Sequence, residues 1–278
     1  MILSVSTLSR MLPPRLRDSL NVLLGRAAAA ALPTEPAQLF DCPVCGADRI
    51  PLDPVAWSRL RELDKHQHVY SIFTYETWNY EHYSCSRCGA TDRARLYALY
   101  LGQAIGRPTA PLSVLEIAPG GAFTKFLKSL PQVRLRTADL YMRDVDDRVD
   151  LTDMRAHYAD GQFDAFVCSH VLEHIPNDVS AMKELHRVTK NGGWGIAMVP
   201  INLAIAETDE DPSIVDEAGR WKHFGQGDHV RVYSKTCFVR RLKSAGFSVE
   251  QLGQSHFGEN VFARHGIHPR SVLYIVRR

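Results

Sequence analysis

The sequence of 278 residues is 45% hydrophobic and 23% charged, with a formal net charge of +2, as in an ordinary globular protein with room for one large domain or a domain plus an appended module. The near-neutral balance excludes a polyanion binder that works through its whole surface, so a nucleic-acid partner is not expected unless a local patch supplies the charge. No run reaches the roughly 18 apolar residues of a membrane span, so no transmembrane segment is expected.

From the N-terminus, "MILSVSTLSRMLPPRLRDSLNVLLGRAAAAAL" bears arginines, is poor in acids and ends in small residues, which superficially resembles a targeting peptide. Arg10, Arg15, Arg17, Asp18 and Arg26 interrupt any apolar stretch, and Pro13-Pro14 opens an amphipathic pattern. Residues 1–40 are therefore read as a helical arm with the linker "LPTEPAQ", in preference to an export signal or to surface attachment to a membrane. Without an export signal, the cytoplasm is the expected location.

Residues 41–107 are read as a zinc-binding module and a lead-in helix. Cys42 and Cys45 lie in "CPVCG", and Cys85 and Cys88 in "CSRCG". Each tight turn points two thiolates at one point, the pattern of a structural tetrahedral Zn2+ site. Disulfides are the alternative and would favour an oxidising compartment. Among the 39 residues between the pairs, the aromatic, β-prone "VYSIFTYETWNYEHYSC" is read as a hairpin or a substrate-facing surface. "TDRARLYALYLGQAIG" is a helix capped by Thr91 and stopped at Gly106 with Pro108 beyond.

In residues 108–278 short apolar runs alternate with helical stretches, the pattern of a parallel sheet covered by helices. Strands are expected at 113–118, 133–139, around "RVDL", at 163–169 and at 193–200, with "SVEQL" and "SVLYIVRR" as the last two. "NDVSAMKELHRVTKNGG" reads as a helix opening at Asn177-Asp178 and closing on Gly192, and "SKTCFVRRLKSAGF" as another.

"CSHVLEHI" contains His170, Glu173 and His174 in an H-x-x-E-H spacing. On a helix that spacing would suggest an inverted zinc-protease site. The preceding "FDAFVC" is a near-continuous apolar run, as in a strand buried on both faces, and it delivers Ser169 and His170 to a strand end. The protease geometry is lost.

Ligands of open parallel sheets bind beyond the carboxyl ends of the strands. Those ends are "LEIAPGG", Asp139 about 20 residues on, "VDLTDM" and "SH". In this order, from about residue 111 to 278, they resemble the class I S-adenosylmethionine-dependent methyltransferases, although Pro119 stands where that family commonly has Gly. The resemblance implies an α/β, Rossmann-like doubly wound sheet of seven strands, the last antiparallel, with the zinc-ribbon-like module before it. It implies S-adenosyl-L-methionine as cofactor, held by Glu116, Ala118, Gly120 and Gly121, by Asp139 and Leu140 at the ribose, by Asp150 and Leu151 at the adenine, and by Ser169.

A hydroxyl acceptor needs a base or a metal to take its proton. His170 is one candidate; His229, in "WKHFGQGDHVRVYS" after the fifth strand, is the other. In small-RNA 2'-O-methyltransferases and some quinone O-methyltransferases a Glu-x-x-Glu-His run at this place, with a later histidine, binds a divalent metal. The similarity makes Glu173 and His174 possible ligands of a second metal, Mg2+ or Mn2+, with His229 as distal ligand. A metal-free base, or Glu173 and His174 serving only to cap and orient the loop, is the reading preferred.

The paired cysteines resemble those preceding the catalytic domain of sugar-nucleotide C-methyltransferases, and a ribosomal-RNA methyltransferase group also carries an N-terminal zinc finger. Arg87, Arg93 and Arg95 suit phosphate or carboxylate, or form a solvated helix face. The leading expectation is an enzyme that O-methylates a sugar, glycan or other small polar metabolite. An RNA methyltransferase and a non-catalytic binding protein on the same fold are the alternatives.

Overall fold

In the computed structural model, which describes residues 38–105 and 111–278, the chain opens with two short ladders. β1 (Phe40–Cys42) pairs antiparallel with β2 (Ala47–Ile50), and β3 (Leu52–Asp53) with β4 (Ser84–Cys85). One cysteine knuckle joins β1 to β2 and the other follows β4, each closed by a left-handed glycine, Gly46 (φ 67°) and Gly89 (φ 76°). Their amides donate to Cys42 O at 2.9 Å and Cys85 O at 2.8 Å. The expected arm and the Gly106 and Pro108 helix stop lie outside the described residues.

Between the ladders stands α1 (Trp57–Lys65), which the sequence reading did not anticipate. The aromatic stretch after it is not a hairpin. It is irregular chain with one 3-10 turn at Ile72–Thr74, because its backbone bonds go to distant segments. Val69 N donates to Lys222 O and Glu76 N to Ile201 O, both at 2.9 Å, and Thr74 O accepts from Leu203 N at 2.8 Å. α2 (Asp92–Ala104) is the lead-in helix, with the Thr91 side chain accepting from Ala94 N.

Then follow β5 (Leu112–Ile117), α3 (Gly121–Ser129), β6 (Val133–Asp139), β7 (Asp147–Arg148), β8 (Phe163–Ser169), α4 (Asp178–Val188) and β9 (Thr189–Met198). The chain ends with α5 (Glu217–Phe224), α6 (Lys235–Ser244), β10 (Ser248–Leu252), α7 (Gln254–Phe257), α8 (Glu259–Arg264) and β11 (Leu273–Arg277). The strands form one seven-stranded sheet in the order β10-β11-β9-β8-β5-β6-β7. β11 runs antiparallel to both neighbours, and the pairs from β9 to β7 are parallel. This is a Rossmann-like sheet with its last strand antiparallel, and its strand order reverses between β5 and β8.

One boundary differs from the sequence reading. α4 stops at Val188 rather than at Gly192, and residues from Thr189 onward pair with β8. The C-terminal Arg278 closes that helix: its Nη1 donates to the carbonyls of His186, Arg187 and Thr189 at 3.1, 2.6 and 2.5 Å.

The cysteine ladders and the sheet share one apolar core that runs from Phe40 and Leu52 to Phe166 and Tyr274. Arg95 of α2, fully buried, fastens the ladders to the C-terminal segment through bonds to the carbonyls of His265 at 2.8 Å and Gly266 at 3.1 Å. Asp41 adds an ion pair with Arg264. Among the described residues no helix is long and apolar enough to cross a membrane.

Candidate active site

Two non-glycine residues with left-handed backbone mark the reversal point of the sheet: Ala118 (φ 51°) just after β5 and His170 (φ 58°) just after β8. Such conformations cost free energy and persist where surrounding bonds impose them. Here Ala118 N donates to Ala138 O and His170 N to Met198 O, both at 2.8 Å. The chain therefore turns sharply away at the carboxyl ends of both β5 and β8, leaving a crevice.

A cavity of about 210 Å³ on one side of this crevice is lined by Glu116, Ala118, Gly120, Gly121 and Ser169, together with Arg93 and Tyr97 of α2. A second, of about 530 Å³, is lined by Asp139, Leu140, Asp150, Leu151, His170 and His174. Ile117 and Ala118 border both. The structure thus gathers every sequence-predicted cofactor residue along one groove.

The polar groups in it have free capacity. Glu116 is 4% exposed; its Oε1 accepts from Thr124 Oγ1 at 2.9 Å, but its buried Oε2 has no partner. Burial pushes its carboxyl up to about 7, with the Thr124 bond pulling the other way. Asp139 uses Oδ1 to accept the amides of Tyr141 and Met142, both at 2.7 Å, which fixes its side chain and leaves Oδ2 available. Asp150 is held by Thr152, and Ser169 Oγ by the Tyr97 hydroxyl at 2.8 Å. An unpaired buried carboxylate oxygen and an anchored carboxylate fit the ammonium and ribose ends of S-adenosylmethionine.

A third cavity, of about 450 Å³, opens on the other side of His170. The cysteine-module segment supplies Arg59 of α1, His68, Tyr75 and Trp78; the loop after α5 supplies Gly225, Gln226 and His229. His170 and His174 line this cavity and the 530 Å³ one alike.

Glu173 sits at the floor, fully buried. His170 Nδ1 lies 3.1 Å from its Oε1 and His229 Nε2 lies 4.0 Å from the same oxygen, yet neither oxygen accepts a well-aligned hydrogen bond. Each histidine's other nitrogen is engaged. His170 Nε2 meets Nη1 of Arg93, and because guanidinium only donates, that nitrogen is the acceptor. His229 Nδ1 lies 3.2 Å from Phe224 O, which fixes the proton there and leaves Nε2 open. His174 Nδ1 lies 3.2 Å from Asp228 Oδ2. Burial pushes the imidazole of His229 down to about 4, and that of His170 downward as well, against the attraction of Glu173.

The sulfurs of Cys42 and Cys88 are 3.8 Å apart, and those of Cys45 and Cys85 3.9 Å; all four lie within 4.8 Å of one another. Zn–S bonds of about 2.3 Å in a tetrahedron place sulfurs roughly 3.8 Å apart, whereas a disulfide needs about 2.05 Å. All six cysteines are free thiols. The donor set fits zinc.

The stretch between the knuckles carried no chemistry in the sequence reading beyond its aromatic surface, and Arg59 and His68 were missed. Of the three arginines singled out, Arg87 is exposed, Arg95 is structural, and Arg93 faces His170. A solvated helix face describes neither Arg93 nor Arg95.

Residues 119–197, from the glycine loop into β9, match the family described as "Methyltransferase domain". The chain carries a methyltransferase domain over that stretch. An S-adenosylmethionine-dependent methyltransferase from Mesorhizobium loti is similar at 17% identity, over 66% of this chain and 98% of that one, with a TM-score of 0.43. The CurJ carbon methyltransferase is similar at 13% identity and a TM-score of 0.42, over 64% of this chain, which spans only about half (51%) of the CurJ chain. The [4+2]-cyclase SpnF is similar at 14% identity and 0.43, over 82% of this chain and 96% of that one. Likenesses this distant decide nothing about the methyltransferase's acceptor. No curated protein matches the sequence.

Proposed function

We propose that this methyltransferase O-methylates a sugar, glycan or other small polar metabolite bound in the 450 Å³ cavity between the cysteine-module segment and the end of β8. The observation that carries the reading is the shared wall: His170 and His174 border both the cofactor groove and this cavity, so the two ligands meet there. Glu116, Ala118, Gly120, Gly121 and Ser169 hold the methionine end of the cofactor; Asp139, Leu140, Asp150 and Leu151 hold the adenosine end. S-adenosylmethionine supplies an electrophilic methyl group on a sulfonium sulfur.

The acceptor hydroxyl gives up its proton as it attacks, and His229 is the better placed base. Its open Nε2 faces Glu173, which stabilises the imidazolium that forms, whereas the corresponding acceptor on His170 is occupied by Arg93. His170 then acts by orienting Arg93 and Glu173. Cys42, Cys45, Cys85 and Cys88 hold one structural zinc, which stiffens the cavity's outer wall.

A second reading places a divalent ion between Glu173, His174 and His229, whose ligand atoms lie within 4.8 Å of one another. The unpartnered Glu173 oxygens support it, and so do the anchored far nitrogens of both histidines. Two imidazoles with one carboxylate suit manganese or zinc better than magnesium. Incubation with labelled S-adenosylmethionine and fractionated extract tests the proposal: label in small molecules or glycan supports it, label in RNA transfers the activity to nucleic acid, and label nowhere leaves a binding protein.

A further inference from the structure

Arg59 and Arg93 come from different helices but line one cavity, and among the described residues neither lies within ion-pair distance of a carboxylate. Other buried guanidiniums are matched, although the half-buried Arg270 also keeps an unpartnered Nε. Arg231 lies 2.8 Å from Glu210 and 3.8 Å from Asp178, Arg187 is 2.8 Å from Glu184, and Arg95 is consumed by backbone carbonyls. Arg59 spends only Nη2, on Gly225 O and Gln226 Oε1, both at 3.1 Å, while its plane is steadied over the Trp221 indole at 5.1 Å. Arg93 touches the neutral partners His170 and Tyr83, the latter at 3.5 Å. The Nε of each makes no hydrogen bond, and for Arg59 neither does Nη1.

The other charged groups of the wall do not neutralise them. His68 is saturated, with Nδ1 3.0 Å from Lys222 O and Nε2 2.9 Å from the Tyr75 hydroxyl. The one carboxylate of the lining, Glu173, is turned toward His170 and His229. Partly desolvated guanidiniums with free, planar donors are the standard means of reading a carboxylate or phosphate. The aromatic faces of Tyr75, Trp78 and Tyr83 in the same wall suit the ring body such a group is attached to.

We infer that the methyl acceptor is an anion whose carboxylate or phosphate is held by Arg59 and Arg93, with its ring against Tyr75 and Trp78. The inference rests on the reading of this cavity as the acceptor site. It makes the cysteine-module segment the selector of charge and the His170 side the place of reaction.

The test is a titration of inorganic phosphate, and in parallel of acetate, into the protein saturated with S-adenosylhomocysteine so that the cofactor groove is filled, followed by tryptophan fluorescence. Saturable binding on the order of millimolar is expected, weakened about tenfold or more in both Arg59→Gln and Arg93→Gln. Preference for phosphate or for acetate tells which group is read. S-adenosylhomocysteine affinity, measured on the same preparations, should change by less than about twofold in Arg59→Gln, since Arg59 lines the acceptor cavity and not the cofactor groove, which Arg93 also borders. Anion binding that is absent, or unchanged in Arg59→Gln, overturns the inference, as does an Arg93→Gln that loses the nucleoside and keeps the anion. Failure of the wild type to bind S-adenosylhomocysteine, with anion binding intact, would instead sink the placement of the cofactor groove.

Discussion

Nε2 of His229 stands 4.0 Å from Oε1 of Glu173, while the other ring nitrogen is pinned to Phe224 O at 3.2 Å. A histidine held at one nitrogen and facing a carboxylate with the other is arranged to take a proton on the facing side. His229→Ala should lower turnover by about 10²- to 10⁴-fold. S-adenosylmethionine affinity should stay nearly unchanged, because His229 borders the acceptor cavity and not the cofactor groove. Full turnover in the variant removes His229 from the mechanism. Treatment with EDTA separates the two readings of the cluster: activity lost and restored by manganese, with the cysteine-bound zinc retained, assigns the site to a metal, and full activity in EDTA assigns it to a metal-free base.

Asp139 ends β6 with Oδ1 committed to two loop amides and Oδ2 free toward the groove. Asp139→Asn keeps the shape but removes the charge, and charge-assisted bonds of this kind contribute roughly 1.5 to 3 kcal/mol. Cofactor affinity should fall at least about tenfold by calorimetry. Unchanged binding would refute the ribose assignment.

Some of this site was legible in the sequence because it depends on local pattern. β8 announces itself as an apolar run ending at Ser169, so the placement of His170 follows from burial alone, and Thr91 and Asp139 sit where a cap and a strand end put them. What was not legible depends on distant partners. α1 has Ala56 at its N-cap and so no side-chain cap, and Arg59 acquires its position from Gly225 and Gln226, far along the chain. The aromatic stretch has β propensity, but its amides bond to segments near 201 and 222, and that pairing overrides propensity. The end of α4 is set by Arg278, which no local stop signal encodes.

Purified without chelator, the protein should contain one zinc per chain by elemental analysis, and Cys45→Ser with Cys88→Ser should release it. Cys42 and Cys85 belong to the same apolar core as Phe40 and Leu52, so loss of the ion should also lower the melting temperature by several degrees. Mass spectrometry that finds these thiols oxidised in pairs in the native protein would replace the zinc with disulfides.

His68 makes the stability of the protein depend on pH, with a sign that burial fixes. The ring is 5% exposed, and desolvation pushes it down to about 4 against the upward pull of the Lys222 carbonyl. The unfolded chain takes up this proton near pH 6.5, the native state only near 4. Between those values the unfolded state holds more protons, so stability is fully present above about 6.5 and declines as pH falls toward 4. For one such histidine the loss from pH 7 to pH 5 is about 2 kcal/mol. His229, depressed to about 4 as well, adds a slope of the same sign. His68→Gln should therefore be less stable at pH 7, yet lose about 2 kcal/mol less than the wild type on going to pH 5, read from denaturant midpoints at the two values. An undiminished pH dependence would mean that His68 is protonated in the folded protein and that the Tyr75 hydroxyl does not donate to it.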